Sequence, residues 1–235
     1  MTSLGGFLRG FSPVYGKFLL RLPHGAEVLD VGCGDCASLR IISTLRPDVS
    51  WFGVDIEESP SGKGILKEFR RADLNSELID FPEGKFDGVR ICHVLEHLTG
   101  LNVLQREIGR LLKPGGMAYV ETPNENSLRV PSFSIYRKQG GCFNFRDDPS
   151  HVRPFRTEEL REFVAGSGLD VLVSEVVRNP WKILLSPVIL LIGLIARRRS
   201  WLTAAVWEVT GWCSCAVGRK PADGERGVVA SETKR

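Results

Sequence analysis

The segment VLDVGCGDC, from Val28 to Cys36, constrains the fold of this 235-residue chain more than any other part of its sequence. A short apolar run ends at Val31, and Gly32 and Gly34 follow it with one residue between them. Two glycines with this spacing let a buried strand turn sharply into a helix, and they let a ligand approach the backbone without meeting a Cβ. The segment therefore predicts a strand, a ligand-binding turn and a helix, in that order.

The rest of the chain alternates short apolar runs with helical patterns, as parallel α/β sheets do. Seven strands are predicted, at residues 27–31, 51–56, 69–72, 86–92, 117–121, 170–177 and 212–218. We therefore expect one α/β domain over residues 25–220, with a mostly parallel sheet and helices on both of its faces. Residues 1–24 would form a helical cap, and residues 221–235 a polar, disordered tail.

An apolar segment at residues 179–210 interrupts this alternation before the last strand. Residues 183–196 carry no charge, and as a helix they would extend roughly 21 Å, short of the roughly 30 Å of a bilayer core. Three arginines follow at 197–199, and tryptophans flank the segment. We expect a helical insertion that contacts a membrane peripherally through residues 181–201. The alternative is a helical cover packed on its own domain or on a second copy of the chain.

Charge and cysteine usage narrow the classes of partner and compartment. Lys and Arg number 31 and Asp and Glu 28, so the net charge is only +3, which argues against a nucleic-acid partner. Six cysteines, several inside apolar runs, and the lack of a secretory signal favour a cytoplasmic protein. Between Leu128 and Arg146, basic side chains are interspersed with aromatic ones. This pattern is typical of a solvated lid loop, of a lid that binds an anionic small molecule or, with least support, of an RNA-binding loop.

Carboxylates surround the glycine turn. Asp30 precedes it, Asp35 follows it, and Asp55 ends the next predicted strand, where it can accept hydrogen bonds from both hydroxyls of a ribose. The turn together with Ala37 also satisfies the dinucleotide pattern, but two flanking carboxylates would repel a pyrophosphate. They suit a ligand that carries an ammonium and a sulfonium, so S-adenosylmethionine is favoured over a nicotinamide cofactor.

Five motifs follow one another along the chain, namely VLDVGCG at 28–34, GVDI at 53–56, ADL at 72–74, FDGV at 86–89 with VLEH at 94–97, and LLKPGG at 111–116. In this order they resemble those of class I S-adenosylmethionine-dependent methyltransferases, in the small-molecule group that includes the ubiquinone-biosynthesis O-methyltransferases. The resemblance covers about residues 26–178 and 212–220, and it implies a Rossmann-like sheet with an antiparallel last pair of strands.

The turn, the strand ends and the resemblance together indicate a set of residues around the cofactor. The resemblance places an acidic residue of the ADL motif against the adenine amine, and the topology places a histidine after strand four at the carboxyl edge of the sheet. The predicted cofactor-binding residues are Asp30, Gly32, Cys33, Gly34, Asp55, Ile56, Asp73, Leu74 and His93.

Two histidines are the candidate catalytic residues. A hydroxyl acceptor benefits from a general base, and histidine is the usual one at neutral pH. His97 follows strand four, and His151 lies in a loop expected over the sheet edge. Each also has a structural interpretation, helix packing for His97 and loop bracing for His151. With Glu96 they lack a recognised metal-ligand spacing, so the hypothesis includes no metal.

The predicted function is methyl transfer to a small acceptor, by O-methylation, with an anionic or lipid-linked acceptor favoured by the lid and the insertion. Two alternatives come from other classes. One is a non-catalytic, methyltransferase-like binding module at a membrane. The other, with less support, is a nicotinamide-dependent oxidoreductase.

Overall fold

The computed structural model describes residues 12–57, 64–132, 142–196 and 199–222. Its seven strands are β1 (Glu27–Val31), β2 (Ser50–Asp55), β3 (Leu66–Arg71), β4 (Phe86–Cys92), β5 (Leu112–Pro123), β6 (Asp170–Val176) and β7 (Cys213–Arg219). They form one sheet in the order β3-β2-β1-β4-β5-β7-β6. Strands β1 to β5 pair in parallel, whereas β7 is antiparallel to both β5 and β6. The predicted seven-stranded, mostly parallel sheet is confirmed.

Alternate residues of the strands point into two separate cores, one on each face of the sheet. In β5, Met117 and Tyr119 belong to one core, and Ala118 and Val120 to the other. This period of two is the one expected for a strand buried on both sides. The helices that cover the two faces and form the insertion are α1 (Pro13–Arg21), α2 (Ala37–Leu45), α3 (Asn102–Leu111), α4 (Thr157–Gly166), α5 (Pro180–Ile195) and α6 (Arg199–Thr210).

Helices α1 and α2 contribute to the core that contains Tyr119, and α3 and α4 to the opposite core. Helix α1 therefore closes one face of the sheet near the carboxyl ends of its central strands. Its Ser12 N-cap accepts a hydrogen bond from the Tyr15 N–H, and Pro13 occupies the first helical position, where no N–H is needed.

Helices α5 and α6 lie between β6 and β7 in the chain. Asn179 caps α5 by accepting from the N–H groups of Trp181 and Lys182. The two helices approach closely at Gly193, where a Cβ would come within 2.9 Å of Leu202. Within the described ranges, no helix is both long and apolar enough to cross a bilayer.

Strand β5 begins at Leu112 rather than at Met117, because the chain keeps pairing with its neighbours through the Lys-Pro-Gly-Gly segment. Leu112 pairs with Phe86, and Gly115 and Gly116 exchange backbone hydrogen bonds with Lys220. Residues 1–11 of the predicted cap, 133–141 of the predicted lid, the arginines at 197 and 198, and 223–235 of the predicted tail lie outside the described residues.

Candidate active site

The glycine turn adopts the conformation that its sequence demands. Gly32 and Gly34 have φ values of +70° and +49°, which residues with a Cβ rarely adopt. A Cβ on Gly32 would overlap the side chain of Val94, whereas one on Gly34 would meet nothing within 4 Å. Gly32 is therefore required for packing, and the backbone at Gly34 faces open space that a ligand can occupy.

Asp55 lies beside this space, at the end of β2. Its Oδ2 accepts from the Gly34 N–H at 2.8 Å, and its Oδ1 from the Ile56 N–H at 2.7 Å. Both carboxylate oxygens keep a lone pair for a ribose hydroxyl, since each has two. The side chain of Ile56 is 55% exposed and offers an apolar surface next to the carboxylate. An open turn, a fixed carboxylate and an exposed apolar side chain fit an adenosine-bearing cofactor.

Asp73 and Leu74 lie beyond the end of β3 and have different environments. The Asp73 carboxylate accepts from the backbone and side-chain amides of Asn75 at 2.9 and 3.0 Å, and the backbone hydrogen bond in particular lowers its pKa. The Leu74 side chain is buried in the core. Asp73 thus braces a turn at this edge, while only the backbone of Leu74 can face a ligand.

Asp30 contacts a second charged residue. It is 1% exposed, and its Oδ1 accepts from Nη1 of Arg90 at 2.5 Å. Burial raises the pKa of Asp30, and the charge of Arg90 opposes that rise. The expected repulsion of a pyrophosphate by Asp30 is therefore largely offset by Arg90, so only Asp35 still supports it. The neighbouring Cys33 is buried, and burial raises the pKa of its thiol.

A cavity of about 370 Å³ lies next to this ion pair. Arg90 contributes to its wall from β4, Glu121 from β5 and Cys213 from β7, while Tyr15 of α1 and Trp207 of α6 close it from the sides. His93, directly after β4, also lines it. The cavity thus joins the sheet edge, the N-terminal helix and the insertion.

His93 is held in the cavity wall by carboxylates on both ring nitrogens. Its Nδ1 lies 3.2 Å from Glu96 Oε1, and its Nε2 lies 3.7 Å from Glu121 Oε1. Burial disfavours the imidazolium, but the hydrogen bond to Glu96 and the charges of Glu96 and Glu121 raise the pKa of His93 above its usual 6.5. The backbone of His93 has φ +57°, a strained conformation typical of functional positions.

Glu96, the carboxylate next to His93 Nδ1, is fully buried, with 0% exposure. Its Oε2 accepts from the Thr122 hydroxyl at 3.0 Å. Burial opposes the ionised form, yet the hydrogen bond and the charge of His93, together with the Thr122 hydroxyl, lower the pKa of Glu96. An ionised, immobile carboxylate on Nδ1 leaves Nε2 as the nitrogen that can accept a proton.

The two histidines predicted as bases lie together in another place. Their rings are 4.8 Å apart, with His97 Nδ1 2.9 Å from the Ser150 hydroxyl. His151 Nδ1 donates to the Phe145 carbonyl at 2.6 Å, and its side chain is 6% exposed. Among the described residues, His151 lines a second cavity of about 390 Å³ with Phe145 and Asp148, and neither histidine lines the cavity of His93.

Among the residues that the structure describes, two groups of side chains have the donor types and proximity to hold a metal ion. In each group the ligand atoms lie within 4.8 Å of one another. The groups are His93, Glu121 and Cys213, and Glu96, His97 and His151.

The predicted site did not include Arg90, Glu121 or Trp207, which all line the His93 cavity. Two of them carry a detectable pattern. Arg90 is a charge inside an otherwise apolar strand, and Glu121 is a carboxylate near the end of a strand, as Asp55 is. Trp207 reaches the cavity from a segment whose orientation the sequence does not determine.

Comparison with known proteins shows which family the chain is similar to. A model described as a methyltransferase domain matches residues 9–174. Ubiquinone biosynthesis O-methyltransferase of Dechloromonas aromatica is 31% identical over 43% of this chain and 46% of its own length. The enzyme of that name from Pseudomonas aeruginosa is 29% identical over 62% of this chain and 61% of its own length. The chain thus spans only about half of these relatives. An S-adenosylmethionine (SAM)-dependent methyltransferase from Aquifex aeolicus has the same fold, with a TM-score of 0.56 and 16% identity. The match covers 90% of this chain and 91% of that one.

Proposed function

This chain belongs to the methyltransferase domain family of S-adenosylmethionine-dependent enzymes, and we propose that it methylates a hydroxyl group of a small acceptor bound in the cavity beside His93. The predicted preference for S-adenosylmethionine over a nicotinamide cofactor is confirmed by the family. Relatives that share part of its length are named O-methyltransferases, which supports oxygen as the accepting atom.

The glycine turn and the end of β2 would hold the cofactor. The backbone at Gly34 offers the open space, Asp55 the acceptors for the ribose hydroxyls, and Ile56 an apolar surface for the base. When bound, S-adenosylmethionine supplies a methyl group on a sulfonium, an electrophile with a good leaving group. Alignment of the acceptor with that methyl group then contributes much of the rate.

The observation that carries the proposal is the His93–Glu96 pair in the cavity wall, with His93 Nε2 3.7 Å from Glu121, another residue of that wall. In its neutral form His93 takes the hydroxyl proton of the acceptor on Nε2. The oxygen lone pair released in this way would form the new bond to the methyl carbon, while the bond from that carbon to the sulfonium sulfur breaks and its electron pair goes to sulfur. Glu96, hydrogen-bonded to Nδ1, keeps the productive tautomer and stabilises the imidazolium that results.

Label transfer tests this function. Purified protein is incubated with methyl-labelled S-adenosylmethionine and an extract of cells that lack the protein, and the product is recovered from aqueous and organic phases. We expect label in an alkali-stable ether, formed about 100-fold or more slowly with His93→Gln. Binding of the cofactor without any label transfer would instead support the non-catalytic module, and label on nitrogen or carbon would contradict O-methylation.

We further propose that the insertion lies on an anionic membrane, so that the acceptor is amphipathic or lipid-linked. Helix α5 exposes a row of large apolar side chains, and the arginines at 197–199 follow it. Both helices also reach the cavity, α5 through Lys182 and α6 through Trp207. An acceptor held at the membrane would therefore meet the cavity wall. The exposed side chains are Trp181, Leu184, Leu185, Val188, Leu191, Ile192, Leu194 and Ile195.

Flotation with vesicles of phosphatidylglycerol tests the membrane proposal. The unmodified chain should rise with the vesicles because its apolar face and basic residues both bind them. A variant with glutamate at 197–199 should stay at the bottom, as should Leu184→Gln/Leu191→Gln. A matched control, Leu172→Gln on exposed β6, should float normally. If the unmodified chain stays at the bottom, the insertion is a cover or a contact between copies.

A further inference from the structure

Arg90 is a buried cation that the proposed mechanism does not use. It lies in the middle of β4, whose neighbouring positions are Val89 and Ile91, and its side chain is only 10% exposed. Nη1 donates to Asp30 at 2.5 Å and Nη2 to Ser38 at 3.2 Å. Among the described residues, its Nε has no hydrogen-bond partner.

Stability alone does not explain this arrangement. A buried ion pair contributes little net stability, because the desolvation of both charges offsets their attraction, and apolar side chains of similar volume are often as stable. A buried N–H without a partner is an additional cost. A guanidinium also carries five N–H donors, more than the hydrogen bonds to Asp30 and Ser38 use.

The location of the pair indicates a ligand. Asp30 and Arg90 face each other in the register of β1 and β4, and Asp30 lies two residues before Gly32 of the ligand-binding turn. Arg90 and Ser38 both line the cavity, and the guanidinium lies over the Tyr15 ring, 5.6 Å from its centroid. The other described cation of the wall, Lys182, donates to Glu208 at 2.8 Å on the insertion side.

We propose that Arg90, in the wall of the cavity, binds a carboxylate, and that this carboxylate is the one on the methionine part of the cofactor. The assignment rests on the cofactor of the proposed function. A methionine end carries an ammonium and a carboxylate, and the Asp30–Arg90 pair offers one charge of each sign next to the turn. Charge-assisted hydrogen bonds from a guanidinium to a carboxylate are among the strongest polar contacts in proteins.

An acidic acceptor could present the same carboxylate chemistry, and calorimetry separates the two sources. The probes are S-adenosylmethionine, decarboxylated S-adenosylmethionine and methylthioadenosine, which lacks the amino-acid end. We expect the unmodified chain to bind S-adenosylmethionine roughly tenfold or more tightly than the decarboxylated form. In Arg90→Gln this ratio should fall to near one, while methylthioadenosine binds as before.

Because Arg90→Gln leaves Asp30 buried without its partner, Asp30→Asn/Arg90→Gln serves as a second variant with a neutral pair. An unchanged ratio in both variants overturns the assignment, as does an equal loss of methylthioadenosine binding, which would show a role in folding. If the ratio of the two affinities is unchanged but label transfer is lost, Arg90 binds a carboxylate of the acceptor instead, and the assignment to the cofactor is overturned. Loss of the ratio in a chain that binds the cofactor but transfers no label leaves this inference standing and counts against the proposed function.

Discussion

The carboxyl edge of the sheet has two halves that are built differently. In the half that we propose binds the cofactor, here the cofactor half, Gly34 and Asp55 make their contact through the backbone of a turn and the end of the adjacent strand. In the half that we propose binds the acceptor, here the acceptor half, the cavity is formed by side chains from distant parts of the chain, Tyr15, His93 and Trp207 among them. The first half depends on local conformation, and the second depends on how helices and loops pack over the sheet. Substitutions should therefore separate cofactor binding from turnover.

The largest expected effect is in the acceptor half. His93→Gln removes the proposed base and should lower turnover of the acceptor by about 10²–10⁴-fold. The affinity for S-adenosylhomocysteine should change little, because the turn and Asp55 are untouched. Turnover measured with the acceptor identified by label transfer, and calorimetry with S-adenosylhomocysteine, check the two halves separately.

His151→Gln is the matched control, since His151 is also a histidine in a cavity wall but lines the other cavity. Its turnover should stay near that of the unmodified chain, with thermal stability lowered by loss of the hydrogen bond to Phe145. The opposite result, with His151→Gln inactive and His93→Gln active, would restore the base predicted from the sequence. It would also require the loop of His151 to move to the first cavity.

Substitutions in the cofactor half should lower cofactor affinity and leave turnover at saturating cofactor largely unchanged. Asp55→Ala removes the acceptors for the ribose hydroxyls, so the affinity for S-adenosylhomocysteine should fall at least about tenfold. At saturating cofactor, turnover should recover most of its value. Asp48→Ala, a carboxylate elsewhere that pairs with Arg46, serves as the control and should leave cofactor affinity unchanged. An unaltered affinity in Asp55→Ala would mean that the ribose binds elsewhere.

The sequence predicted most of the sheet because buried strands leave a local pattern. The bounds of β1 and β4 agree with the structure, since apolar runs between turn residues define both. The start of β5 was misplaced, because glycine and proline usually end an element, and here only the pairing of Leu112 and Lys220 with distant residues keeps the chain extended. Long-range pairing of this kind is invisible in a local pattern.

The candidate site also contains residues that a local sequence pattern predicts and residues that only long-range packing brings together. Gly34, Asp55 and Ile56 could be predicted as cofactor-binding residues because glycine spacing and strand-end residues are local features. The interaction of Arg90 with Asp30 was missed, although they lie opposite each other in adjacent strands, because the sequence does not show which strands pair. His151 was selected for its loop, and the structure instead places His93 in the wall of the first cavity.

The pH dependence of turnover gives the smallest but most specific test of the acceptor half. His93 must be neutral to accept a proton, so turnover should rise with pH as His93 loses its proton. Burial and the charge of Arg90 lower the pKa of His93, whereas Glu96 and Glu121 raise it, and the net effect is a value above the usual 6.5. The rise should therefore be centred above that pH.

Glu96→Gln sharpens this test, because glutamine can keep the hydrogen bond to Nδ1 while removing the charge that stabilises the imidazolium. The pKa of His93 should fall, so the rise in turnover should move to lower pH. The plateau at high pH should also be lower, since a weaker base accepts the hydroxyl proton less readily. Turnover profiles from about pH 5 to 9 measure both effects. A profile whose midpoint is the same in the variant and the unmodified chain would show that the titrating group is not His93.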